Sequence, residues 1–306
     1  MDTKDQSVPA AAPLQGGVLA GPVELLSVAW KLFRENWKTL MPIVMVPLLA
    51  TAIGRILSVA DVSVLPVVGG FLVFIAGVFT IFMQIALTDS VRQISNGSAV
   101  ALSTKAQYKV GFRLFWPFVW LVILQVLVFL GSSILFIIPA IVMGVYTSMY
   151  SLSLIIDGKR GWSAFTESYT LVRGRWWGTL GRLVSIGLVS AACYLVGVGL
   201  SFLLELLFGL PLKSSGAGAL SAVVGDLIGI FVWPLAAIYT YKLYESLKAS
   251  RLPNIETKTF RRWLITFLVI GILTPFLVLG IGLPILLSNM NTTGSTYEFS
   301  TMTVQP

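Results

Sequence analysis

Three times in this chain an arginine stands three residues ahead of a tryptophan: Arg34 and Trp37, Arg113 and Trp116, Arg173 and Trp176, with Arg175 beside the third pair. A guanidinium holds a phosphate through two parallel hydrogen bonds while its aliphatic stem stays in apolar surroundings. An indole settles where lipid tails meet headgroups. These pairs suit contact with anionic lipid headgroups; the plainer reading is that they only anchor the ends of membrane spans. Catalytic chemistry has less to work with. The sequence has no histidine and one cysteine, Cys193, in an apolar run where it reads as a small buried hydrophobe. The common zinc sites and histidine-based acid–base or triad chemistry therefore lack their residues. The carboxylates form no tight pair or Asp-x-Asp cluster for a divalent ion. No metal or other cofactor is expected, and a non-enzymatic role is favoured.

The elements that must position these residues are membrane spans. From Leu114 to Ile156 there is no Asp, Glu, Lys or Arg, roughly twice the ~20 apolar residues that cross a bilayer. Charged residues make up 11% of the chain, against about a quarter in soluble domains. Apolar windows predict an all-α transmembrane fold of seven spans, over residues 39–59, 65–88, 115–135, 139–156, 178–208, 218–241 and 263–287. The third and fourth fold back at Gly131-Ser132-Ser133 or at Ile138-Pro139. Pro275, Gly280, Gly282 and Pro284 threaten to interrupt the seventh.

The net charge of +8 does not point to nucleic acid, because the basic residues are scattered among loops without a stripe or binding motif. An anionic lipid surface explains them. With the N-terminus cytosolic, every Lys and Arg except Arg55 and Lys213 falls on the cytosolic side, as the positive-inside rule requires. Residues 1–20 lack an apolar signal core and read as a disordered cytosolic arm. Residues 21–248 form a six-span membrane domain, and 249–287 a basic loop with the seventh span. The polar tail 288–306 then lies outside.

Each Arg-x-x-Trp follows a stretch of helical period and leads into a span. Leu26, Ala29, Trp30, Phe33 and Trp37 make one apolar stripe; Trp162, Phe165, Tyr169, Val172 and Trp176 make another. The middle stripe, Ala99, Leu102, Ala106 and Val110, is weaker. The pattern predicts three repeats of an interfacial amphipathic helix plus a two-span hairpin, with one extra C-terminal span.

The run Phe136-Ile137-Ile138-Pro139-Ala140, the segment Asp157 to Ser168 and the segment Leu171 to Trp177 resemble the bacterial and archaeal family named for the membrane domain of glycerophosphodiester phosphodiesterases. That family shows a Pro-containing break, an acidic-Gly turn, an Ala-x-x-x-Ser helix and a Lys/Arg-Gly-x-Trp element. Pro139, Ala164, Ser168, Arg173, Gly174 and Trp176 occupy the matching positions. The close match covers about 45 residues, and the six-span layout extends it to 22–248. Ala140 stands where many members have Gly, and the seventh span is an addition. The resemblance implies a fold and a prokaryotic cell membrane rather than a reaction. The phosphodiesterase chemistry of fused relatives depends on histidine, which this chain lacks.

Charges inside spans are usually paired or functional. Asp89 and Arg182 sit near inner ends and can snorkel. On the outer side Arg55 is expected to pair with Asp226 or with Glu205, Asp61 being nearby. A gated substrate or ion path is the sharper alternative, hinted at by Gln84, Gln125 and the Gly-rich span 218–241. Gly225-x-x-x-Gly229 reads as helix packing. Together these readings predict an integral membrane protein organising lipids, or partner proteins not identified by sequence, at the cytosolic leaflet. A small-molecule or lipid transporter comes second and a membrane-embedded enzyme third.

Overall fold

A computed structural model of the chain describes residues 19–58, 64–97, 103–207, 215–253, 255–277, 279–280 and 284. The N-terminal arm before Leu19, Asp61, Ala99, Leu102, Lys213, the end of the seventh span and the tail from Ser288 lie outside these. The elements are α1 (Pro22–Ser58), α2 (Leu65–Ser95), α3 (Thr104–Leu135), α4 (Ile137–Thr147), α5 (Tyr150–Asp157), α6 (Trp162–Val172), α7 (Trp176–Leu207), α8 (Ser215–Ala249) and α9 (Lys258–Leu277). No strand occurs among the described residues. Among the described residues seven segments are long and apolar enough to cross a membrane, counting α4 with α5 as one. The fold is an all-α transmembrane bundle, and the protein a multi-pass membrane protein.

The three repeats take three forms. In the first, the interfacial stretch and its span form one helix kinked at Asn36, whose backbone leaves the helical region (φ −119°, ψ 17°). There the Asn36 amide donates to the Leu32 carbonyl at 3.0 Å, the local competition with backbone bonding that marks asparagine within helices. In the second, α3 runs without a break from Thr104 through Arg113 and Pro117 to Leu135. In the third, α6 is separate, and Gly174 (φ +82°) makes the turn into α7.

The fourth span is broken. The helix stops at Thr147 and resumes at Tyr150, and the backbone groups freed at the break are taken up by a side chain from α6. Ser168 Oγ accepts from the Met149 N–H at 3.0 Å and donates to the Tyr146 carbonyl at 2.7 Å. One hydroxyl thus satisfies an orphan donor and an orphan acceptor where lipid supplies no partner. After α5 the chain turns at Gly158 (φ +67°) and α6 folds back along α5.

α1 packs between α2 and α8, α3 between α2 and α9, and α7 mainly against α8. The amphipathic stripes are only partly buried in the protein. Ala29 and Phe33 are buried in the bundle core, while Trp30 and Trp37 stay exposed. α6 turns its stripe to the protein instead of the lipid. Phe165 stacks on Tyr150 with ring centres 5.2 Å apart, Tyr169 stacks on Phe260 at 4.1 Å, and Val172 is buried. The reason is the broken span: its capping serine lies on α6, so α6 must sit against the break.

Candidate functional site

Hydrogen bonds and ion pairs tie the start of α1, the ends of α2, α5 and α8, and the α6–α7 turn into one end of the bundle, the end rich in Lys and Arg. In two of the three arginine–tryptophan pairs there the arginine has no protein partner among the described residues. Arg34 and Arg113 lie on exposed faces of α1 and α3 and make no hydrogen bond or ion pair among the described residues. Trp37 and Trp116 are exposed by 45% and 76%.

The third pair is held by the protein. Arg173 donates to the Glu256 carbonyl at 2.7 Å and lies 5.6 Å from the Tyr169 ring centre. Arg175 donates to the Ser250 carbonyl, and the half-buried Trp176 indole reaches the Val142 carbonyl at 3.5 Å. The two arginine bonds staple the α6–α7 turn to the α8–α9 connection, and the indole ties it to α4. Burial pushes the Tyr169 hydroxyl above its usual pKa, against the opposing pull of Arg173. The backbone acceptors lie 83 and 75 residues downstream. No residue type announces a backbone oxygen, so nothing in the sequence signals the staple.

Ion pairs surround a hollow at this end. Asp157, at the end of α5, takes the Lys248 ammonium at 2.6 Å and the Tyr244 hydroxyl at 2.6 Å. Asp89 takes Arg92 at 2.7 Å and the Gln93 amide at 2.7 Å. It does not snorkel, being 2% exposed. Glu167 receives Arg251 through two bonds, 2.8 and 3.4 Å. Arg182 clamps the entry to α1, donating to the carbonyls of Ala20 (2.6 Å), Leu19 (2.9 Å) and Gly178 (2.7 Å). The hollow, about 380 Å³, is walled by Arg92 and Gln93 of α2, Ile156 of α5, and Tyr241, Tyr244, Glu245 and Lys248 of α8. Sequence reasoning missed it because its residues come from helices some 60 to 150 positions apart, each ordinary as a span-end charge.

At the opposite end the structure pairs Arg55 with Asp226, Nε to Oδ2 at 3.1 Å, with Arg55 41% and Asp226 15% exposed. The two atoms touch as charges without the alignment of a hydrogen bond. Glu205 instead accepts from Ser221 at 3.4 Å, and Ser221 lies 2.9 Å from Ser201. Cys193 is half-buried rather than buried. Among the described residues no three His, Cys, Asp or Glu side chains stand close enough to hold a metal ion. Compared with protein-family models, curated proteins and solved structures, the chain matches none.

Proposed function

We propose that the protein organises anionic lipid at the cytosolic leaflet of a prokaryotic cell membrane, with its N-terminus inside and without catalysis. The observation that carries this reading is the split among the repeat arginines. Arg34 and Arg113 are exposed beside exposed tryptophans and have no protein partner among the described residues, whereas Arg173 and Arg175 are engaged by carbonyls. Orientation follows from the placement of Lys and Arg. Each basic residue near an anionic surface contributes about 1 kcal/mol, reduced by salt. The Arg34→Gln/Arg113→Gln variant should therefore lose anionic over zwitterionic lipid in native mass spectrometry. Arg173→Gln/Arg175→Gln should keep its lipid and lose stability. Unchanged lipid in the first variant rejects the proposal and leaves the pairs as plain anchors.

One observation favours a second reading, a transporter. A broken span is the usual form of transporter binding segments, and α4 and α5 are such a pair, while the side-chain carbonyl of Gln125 is buried with no partner among the described residues. Substrate-dependent flux in proteoliposomes decides between the two.

A further inference from the structure

The hollow between α2, α5 and α8 has a charge pattern that the arginine–tryptophan pairs lack. Its volume of about 380 Å³ lies at the small end of ligand pockets, roughly 300–1,000 Å³. Only Ile156 among its lining residues is apolar, which suits a small polar molecule and excludes an acyl chain. Arg92 and Lys248 are cations with capacity to spare. Arg92 gives Nη2 to Asp89, while Nη1 makes only two 3.5 Å contacts, to the carbonyls of Ile155 and Ile156. Lys248 uses one of its three N–H groups on Asp157. Glu245 shares one oxygen with Lys242 at 2.7 Å, and a carboxylate accepts at about four lone-pair positions.

α2, α5 and α8 all end here, so the negative poles of three helices converge. The side-chain charges in and beside the hollow cancel: Arg92, Lys242 and Lys248 against Asp89, Asp157 and Glu245. A lone anion meets the three negative poles with no net side-chain charge to offset them, and a lone cation leaves Arg92 and Lys248 unused. A molecule carrying both charges meets a complement for each. We propose that the hollow binds a small zwitterion, an ammonium joined to a phosphate, as in phosphoethanolamine. Arg92 and Lys248, on different helices, take the phosphate, which offers oxygens on several sides. Glu245 and the helix carbonyl ends take the ammonium. The same group arrives either as a soluble molecule or as the headgroup of phosphatidylethanolamine.

The test uses the full chain purified in detergent, titrated calorimetrically with O-phosphoethanolamine, inorganic phosphate and ethanolamine in turn. A parallel arm compares lipid retained from phosphatidylethanolamine and phosphatidylglycerol nanodiscs by native mass spectrometry. Phosphoethanolamine should bind at least tenfold tighter than either half. Glu245→Gln should remove that advantage. Asn96→Leu, in a residue of the hollow outside every ion pair, should block binding while the melting temperature stays put. Binding of the soluble probe identifies a soluble ligand. Retained phosphatidylethanolamine, lost in Asn96→Leu and with the soluble probe silent, identifies the headgroup. Phosphate binding as tightly as phosphoethanolamine, no binding from either source, or binding undiminished in Asn96→Leu overturns the proposal. The Arg34 and Arg113 experiment reads anionic lipid at other residues, so the two ideas fail separately.

Discussion

Ser168 makes the fourth span possible. Its hydroxyl is fully buried and serves both sides of the break. Ser168→Ala leaves a backbone N–H and a carbonyl unpaired, each costing about 1–3 kcal/mol when buried. Urea or thermal unfolding in detergent should register a loss of about 2–6 kcal/mol for the two groups together, and an unchanged midpoint would mean that water or a shifted backbone replaces the hydroxyl. Arg55 and Asp226 make the second residue-level case. Removing either alone strands a charge in the membrane, which is worse than losing the pair. The double variant Arg55→Ala/Asp226→Asn should therefore be less destabilised than the sum of its singles. Arg55→Ala combined with Glu205→Gln should be additive, since Glu205 bonds to Ser221. Additivity in the first cycle would rule the pair out. Arg55 and its two possible acids were legible as unlike charges within spans. Choosing Asp226 needed the rotation of α8, which hydrophobicity hardly constrains when a helix is apolar on nearly every side.

Helix existence was easier to read than helix shape. All seven spans answer to apolar windows, because length and charge depletion are properties of the chain itself. The break at Ser148 and Met149 is not, since neither residue is a helix breaker and the cause lies on α6. The meeting of α3 and α9 is equally silent in sequence. A Cβ added at Gly131 would collide with the Phe267 carbonyl, and one added at Gly271 with the Leu127 carbonyl. Two glycines therefore let the backbones touch, the usual device where apolar burial cannot drive helices together. Gly271→Val should push α9 off the bundle and open the connection before it to limited proteolysis. Gly144→Ala, which meets nothing within 4 Å, is the matched control and should cut like the parent protein.

For the molecule as a whole, orientation is the first thing to check. Asn96 and Thr259 are exposed at the basic end, and Val64 is exposed at the other. With Cys193 replaced, cysteines at Asn96 and Thr259 should resist an impermeant thiol reagent until cells are opened, and one at Val64 should react at once. The opposite pattern overturns the charge-based orientation. Ser250, attractive by position, is too buried to report. Closure of the bundle also has a consequence in time. The segment leading into α1 is held by Arg182 and Ser246, and the Ser246 bond joins residues 226 positions apart. At about 5–20 residues per second, translation needs roughly 10–45 s to span that interval. Throughout it, the side of α1 that meets α8, marked by Leu48 against Gly229 and Arg55 against Asp226, waits with only lipid or the insertion machinery to cover it. A chain halted after Leu207 should leave the start of α1 open to protease, and the finished chain should protect it. Variants at Arg182 or Ser246 should then lower the amount of protein made by more than they lower the melting temperature of what survives, because quality control inspects the first helix before its last neighbour exists.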